Sequence, residues 1–362
     1  MFRIFSRLRG WFDFVELRLN SCIGAQRRRS PAGEAAPASR HAASSHIGGD
    51  IVQPSPTKHH PGKAEKQEAR TAKLLLIPAF MGLIFLTYLP LIAVFGISLF
   101  QWRVPGTPSF AGFDNYRFLF TEDFFFWTSI RVTLLYGFLS VAAGLVYSMI
   151  IALLLNRPIP GRAAFRTIFY MPFIIPAVAT FLSWSLLYDG GGIINNIVVM
   201  FGGQRTHFLS NEQTIIPALA MVAVWTSGNL IVIKMAGLGN VPRTYLEAAE
   251  IDGANAWQRF WKITLPCMTP IIFYNMLMSL VTNMQIFVPS LLMAAGGGAG
   301  AGTVPESYLF MTFTMYRTGF INGLIGRASA ISFIFFILVG IFTAILFITS
   351  KSWLFYEGGD PK

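Results

Sequence analysis

The sequence predicts an all-α membrane protein with six spanning helices, on three observations. Of 362 residues, 54% are hydrophobic and only 12% charged, where soluble domains carry about 25% charged residues. Beyond Lys73, six apolar stretches recur at roughly 74–100, 129–155, 168–188, 214–236, 267–293 and 328–350. Each reaches the ~20 residues that cross a hydrocarbon core about 30 Å thick. No Asp or Glu falls inside any of the six, as the cost of burying a charge in lipid demands. A soluble one- or two-domain enzyme is excluded as a starting expectation.

The first element is a tail, residues 1–73, holding 13 of the 28 Lys+Arg and 6 of the 17 Asp+Glu. This local surplus points to an anionic, cytoplasmic membrane surface and not to a nucleic-acid partner. Residues 1–22 lack the continuous apolar core of a signal peptide. Phe5, Leu8, Phe12, Val15 and Leu19 recur at helical spacing among Arg3, Arg7, Arg9 and Arg18. Two readings stay open: an interfacial helix, or a weakly ordered extension from an early start codon. Residues 24–70 are polar and without periodicity, and are expected to be disordered. Cys22 and Cys267 are too few for a disulfide framework, and the His59-His60 pair is expected to be solvated, so no metal site is predicted.

The six stretches follow as the spanning domain, 74–350, before a short tail, 351–362. Proline interrupts them at Pro78, Pro90, Pro172, Pro176, Pro217, Pro270 and Pro289. Such interruptions survive in lipid only where neighbouring helices or an aqueous cavity satisfy the freed backbone. The bundle is therefore expected to surround something. With the tail inside, 22 of the 28 basic residues flank the inner side and 6 the outer, which places both termini in the cytoplasm. Segment 102–128, with Trp102, Phe110, Phe113, Tyr116, Phe118 and Trp127, reads as an aromatic interfacial stretch.

Spans without carboxylates weigh against proton coupling and intramembrane hydrolysis, while leaving sodium coupling open. No phosphate-binding G-x-x-x-x-G-K-[ST] loop occurs, so the chain is not expected to bind ATP itself. The run Gly296–Gly302 has no following Lys and reads as a flexible outer loop.

The most informative segment is the inner loop 237–266. Pro242 suits a helix start, residues 243–251 are helix formers, and Asp252-Gly253 supplies a terminating turn. Asn255 can cap a second helix running from about 256 to Pro266. Ala248, Ala249 and Ala254 offer close-approach surfaces, and Trp257, Phe260 and Trp261 offer apolar anchors beside Glu247, Glu250 and Asp252. Such a hairpin suits docking into a groove on a partner; the alternative is an amphipathic loop resting on the bilayer. Glu247-Ala248-Ala249, Gly253 and Ile263-x-Leu265-Pro266 resemble the EAA loop, E-A-A-x3-G-x9-I-x-L-P, of ABC-importer permeases. The longer text from Ala236 to Ala254 is similar to the carbohydrate-uptake branch, which includes maltose, lactose and glycerol-phosphate permeases. Weaker agreement lies at 113–116, at 170–176 and at 326–330. The long tail departs from the family, as does the glycine run where relatives commonly have a G-G-P segment.

This resemblance implies a six-helix, type I ABC-importer transmembrane domain in a bacterial inner membrane. It implies a second permease subunit, homomeric or heteromeric, two ATPase subunits holding ATP and Mg, and an extracytoplasmic solute-binding protein. Within it, Glu247, Ala248, Ala249, Asp252, Gly253, Ala254 and Trp257 would form the ATPase-coupling hairpin.

For the solute path, Asn275, Ser279 and Asn283 recur at i, i+4 and i+8, with Thr282 and Gln285 nearby, and Trp225 and Asn229 recur at i and i+4. Neutral amides and hydroxyls beside an aromatic ring suit a sugar or polyol. Interhelical hydrogen bonding is the competing role; it is favoured for Asn275 and left level with solute contact for Ser279 and Asn283. Positions equivalent to Ser279 and Asn283 lie near the sugar in the maltose-type relatives. The functional expectation is a transport subunit without catalytic residues. The rival is a stand-alone secondary transporter or channel for a small neutral solute.

Overall fold

The computed structural model describes residues 63–296 and 304–354. The expectations for residues 1–62, for most of the glycine run and for residues 355–362 lie outside the described residues. The chain divides into two units, Met1–Ala69 and Arg70–Lys362. Of the first, only the opening of helix α1 (Lys63–Leu83) is described. That opening corrects the sequence reading, which left residues up to 70 without structure. Lys63, Ala64, Glu65, Lys66, Gln67 and Glu68 are all strong helix formers, and extending a helix from a span needs no new nucleus.

Six spans follow by length and composition. They are Lys73–Ser98, Phe124–Asn156, Ala177–Met200, the pair Glu212–Trp225 and Gly228–Gly239 bent by 49°, Thr269–Ala295 and Ile325–Trp353. The first runs through α1, a π-helical turn (Ile84–Tyr88) and α2 (Leu89–Ser98). Pro90 sits just past the turn, where the Leu89 N–H already bonds back five residues to the Ile84 carbonyl. The wider register absorbs a proline that would clash in an α-helical interior. Leu74 to Leu89 is exposed almost throughout, a face that must meet lipid or another subunit. A short antiparallel pair, β1 (Phe100–Gln101) and β2 (Ser109–Phe110), and helix α3 (Asp114–Thr121) lead into the second span.

That span is one helix, α4 (Phe124–Asn156), capped by Asp123, whose carboxylate accepts from the Phe126 N–H at 3.1 Å. Its buried face carries Ser129, Thr133, Gly137, Ser140, Gly144, Ser148 and Ala152. Small residues every three or four positions let neighbouring backbones approach closely. Against α4 pack α8 (Glu212–Trp225), α9 (Gly228–Gly239), α13 (Thr269–Met284) and the short α15 (Met311–Tyr316).

The third span differs from the expected 168–188. Helix α5 (Arg162–Ile174) ends before Pro176, and the apolar run restarts as α6 (Ala177–Tyr188) and α7 (Ile193–Met200). Ile175 takes the extended conformation, φ −67° and ψ 131°, favoured before proline. Hydropathy alone reads through this corner. Within α7, Asn195 is fully buried and donates to the carbonyls of Tyr188 and Asp189 before the helix and of Thr206 after it, folding the following loop back onto the α6–α7 turn.

After α9 come α10 (Arg243–Ile251), α11 (Ala256–Arg259), a second π-helical turn (Phe260–Thr264) and α12 (Leu265–Cys267), which leads into α13. Helix α14 (Val288–Gly296) completes the fifth span, and α16 (Ile325–Trp353) forms the sixth. Between them lies a segment read from sequence as outer loop. It contains some of the most buried side chains among the described residues: Tyr308, Leu309, Phe310, Met311 and Phe313 are at most 1% exposed. The segment plugs into the bundle. The Met311 N–H donates to Thr133 Oγ1 at 2.9 Å, and Tyr308 donates to the Leu209 carbonyl at 3.1 Å.

The strand pair is pressed onto the start of α16, where a Cβ at Gly326 would fall 1.9 Å from the Phe100 carbonyl oxygen. Gly326→Ala is therefore expected to cost about 2 kcal/mol through overpacking against fixed backbone. It should appear as a lowered thermal midpoint of the detergent-solubilised chain. Gly82→Ala, with nothing within 4 Å of the added carbon, should leave the midpoint unchanged or raised.

Candidate functional site

The loop between α9 and α13 forms the expected hairpin. Helix α10 ends at Asp252, and Gly253 takes φ +79°. The Ala254 N–H then reaches the Ala249 carbonyl at 2.9 Å and the Gly253 N–H reaches Glu250 at 3.1 Å. These are the two bonds of a Schellman stop, and they require a left-handed residue four places after Ala249. Glycine at 253 is thus a backbone necessity of the turn. Asn255 opens the second arm with a capping box, its side chain accepting from the Gln258 N–H and its own N–H donating to Gln258, both at 2.9 Å. Arg259 and Glu250 pair across the arms at 2.7 Å.

The second arm does not stop at Pro266, as the sequence reading had it. It continues through the π-helical turn, where the Leu265 N–H bonds to the Phe260 carbonyl, and Pro266 sits in the first turn of α12. This is the device already seen before Pro90. Between the arms lies a cleft of about 330 Å³ lined by Ala249, Asp252, Gly253, Ala254, Gln258, Arg259, Lys262 and Ile263. Four of the predicted residues line this cleft. Glu247, Ala248 and Trp257 are exposed outside it, with the Trp257 ring 5.5 Å from Trp261.

The second feature is a cavity of about 500 Å³ inside the bundle. Three helix breaks meet at its wall: Ile175 before Pro176, Thr226-Ser227 between α8 and α9, and Gln285 to Phe287 between α13 and α14. Gly228 permits the second of these, since a Cβ there would lie 2.5 Å from the Phe169 carbonyl oxygen of α5. At the third, Thr312 of the buried plug donates its hydroxyl to the freed carbonyl of Ile286. Broken helices at membrane depth are tolerated where protein or a cavity satisfies the backbone.

Asn229, Ser279, Asn283 and Gln285, predicted from spacing, all line this cavity. Asn283 donates to the Ser279 carbonyl at 2.8 Å, one turn back on its own helix. Trp225 does not line it; its ring stands 5.7 Å from Trp184 instead, and the 49° bend that follows separates it from Asn229 on α9. Asn275 donates to the Leu230 carbonyl on α9 at 3.4 Å, the interhelical bond expected of it, and also faces the cavity. Sequence spacing missed Thr180 on α6, Tyr136 on α4, Tyr274 on α13 and the bend at Thr226-Ser227, which also join the wall. Among the described residues its polar lining consists of amides and hydroxyls, a surface that can bind a polar solute.

Two rods connect hairpin and cavity. Ten residues of α9 separate Asn229 from Gly239, and ten of α13 separate Thr269 from Ser279, about 15 Å in each case. Midway along α9, Lys234 is 1% exposed. It donates to the Leu145 carbonyl at 2.9 Å and to the Ser148 hydroxyl at 2.5 Å, both on α4. The sequence reading counted Lys234 as a flanking charge. Its four-carbon stem instead reaches into the seam between α9 and α4, where the small Ser148 leaves room for it.

Comparison with known proteins places this arrangement. Residues 144–354 match the family described as binding-protein-dependent transport system inner membrane component. The chain is 36% identical over 288 residues to a probable ABC transporter permease protein YesP of Bacillus subtilis, covering 78% of this chain and 91% of that one. It is 30% identical, over 78% of this chain and 94% of the other, to the trehalose/maltose transport system permease protein MalF of Thermococcus litoralis. In fold it resembles a chain of a bacterial ABC transporter involved in the import of the acidic polysaccharide alginate. That match has a TM-score of 0.66 at 24% identity and covers 80% of this chain and 97% of the other. The matched span, the extent of both relatives and the six-span bundle agree: the chain belongs to the binding-protein-dependent transport system inner membrane components, the permease subunits of ABC importers.

Proposed function

We propose that this chain forms half of the transmembrane path for a carbohydrate, paired with a second permease subunit and driven by separate ATPase subunits that hold ATP and Mg. The observation that carries this reading is the direct connection, through α9 and α13, between an exposed helical hairpin and a cavity lined by amides and hydroxyls. The stand-alone transporter considered from the sequence gives way to the family assignment. The distribution of basic residues supports a cytoplasmic hairpin and cytoplasmic termini. An extracytoplasmic binding protein would then deliver the solute to the opposite end.

In this reading the hairpin seats in an ATPase groove, with Ala249, Gly253 and Ala254 allowing close backbone approach and Trp257 and Trp261 as exposed apolar anchors. Closure of two ATPase subunits draws paired hairpins together. Helices α9 and α13 transmit that displacement to the cavity wall, and Lys234 keeps α9 in step with α4.

Two outcomes test the reading. In a background lacking Cys22 and Cys267, Ala249→Cys should crosslink to a cysteine in the ATPase groove, and Gly253→Val should abolish coupled ATP hydrolysis while the permease pair still assembles. Normal transport by Gly253→Val would refute the coupling assignment. Second, Asn283→Ala should raise the uptake KM roughly 3- to 10-fold, the worth of one hydrogen bond, without altering assembly or basal ATP hydrolysis; unchanged uptake kinetics would remove Asn283 from the path.

A further inference from the structure

The cavity wall contains two polar atoms that the fold leaves unused. Thr180 Oγ1 on α6 and Asn275 Oδ1 on α13 are buried and have no hydrogen-bond partner among the described residues. Thr180 is 5% exposed and Asn275 fully buried. Threonines in spans commonly satisfy the hydroxyl on a carbonyl one turn back, as Thr226 does on Val222 and Thr349 on Ile345. For Thr180 that carbonyl is Pro176, which receives the Thr180 backbone N–H at 3.0 Å while the hydroxyl stays unpaired.

The Asn275 amide is oriented by its bond to Leu230. Because Nδ2 donates to that carbonyl, a flipped amide would set two acceptors against each other. The group left over is therefore an acceptor. It is satisfied by a donor and repels a carboxylate or sulfate oxygen. The rest of the wall agrees with this polarity, because among the described residues no Asp, Glu, Lys, Arg or His lines the cavity. An anionic solute desolvated there would meet no cation among them.

We infer that Thr180 and Asn275 are specificity-determining residues of the path, taking uncharged hydroxyl groups, so that the carbohydrate carried is neutral and not a uronate. A sugar hydroxyl both donates and accepts: it can donate to Asn275 Oδ1, and it can accept from the Thr180 hydroxyl. The inference rests on the proposed carbohydrate path and deepens it by naming the charge class and two further contacts.

The test is ligand-observed NMR on the assembled, detergent-solubilised importer, with maltose and trehalose as neutral probes and an alginate trisaccharide as the acidic one. The neutral probes should show saturation transfer and the acidic probe none. Thr180→Val, which breaks no bond present in the structure, should weaken neutral-probe binding roughly 3- to 10-fold with the thermal midpoint unchanged or raised, and Thr180→Ser should restore it. Asn275→Leu should weaken binding as much or more. Equal or stronger binding of the acidic probe, or no binding of either neutral probe, would overturn the inference. So would wild-type affinity in Thr180→Val, which would mark the Thr180 hydroxyl as a water ligand only. If these arms fail while Ala249→Cys still crosslinks to the ATPase, only the specificity inference falls. Loss of both takes the coupling and path assignments with it.

Discussion

The bundle depends on the seam of small residues along α4. In lipid there is no hydrophobic drive bringing helix to helix, so packing must come from close contact and from hydrogen bonds between elements. Ser129, Thr133, Gly137, Ser140, Gly144, Ser148 and Ala152 provide both. Their short side chains bring α8, α9 and α13 close to one central helix. A Cβ at Gly137 would stand 3.3 Å from the Met284 side chain of α13. Their hydroxyls then make bonds that bulky apolar residues would prevent: Thr133 to the plug at Met311, and Ser148 to Lys234. One face of one helix thus places the cavity, the plug and the rod that leads to the hairpin.

Around that helix four of the other five spans are interrupted, in two physically different ways, while α16 runs unbroken from Ile325 to Trp353. Before Pro90 and Pro266 a π-helical turn widens the ladder by one residue, and the helix carries on past the proline. At Pro176, and between α13 and α14, the ladder stops and the chain changes direction. At Thr226-Ser227 there is no proline at all. The bend there forms where Gly228 lets α5 press directly onto the beginning of α9. Continuations lie at the hairpin and in the first span, while the stops and the bend surround the cavity. The freed groups at the stops become part of the wall or are taken up locally, as Thr312 takes up the Ile286 carbonyl.

Hairpin and cavity differ in how far they could be read from the chain. The hairpin is governed by neighbours in sequence. Its positive-φ Gly253, its Asn255–Gln258 box and its first helix from Arg243 to Ile251 follow from capping rules that act over four or five residues. Only its far end escaped, because whether Pro266 ends a helix depends on a register shift that composition does not display. Ser279 and Asn283 were legible as cavity residues because they share one face of α13, whereas the Trp225 and Asn229 pairing fell across a bend and put only Asn229 on the wall. Thr180 and Tyr136 were not, since no periodicity links residues brought together from different helices.

The sequence by itself determined the membrane class, the number of spans and the hairpin. Each rests on local quantities: apolar length against bilayer thickness, and caps satisfying the nearest backbone groups. Only the tertiary structure decided where the third span begins and that residues 307–313 are core and not loop. It also decided that Lys234 is buried and which polar atoms remain free in the cavity. Those outcomes turn on which partner each backbone carbonyl and side chain finds across the bundle, and such partners lie up to 224 residues apart along the chain, as the Gly326 N–H and the Trp102 carbonyl do.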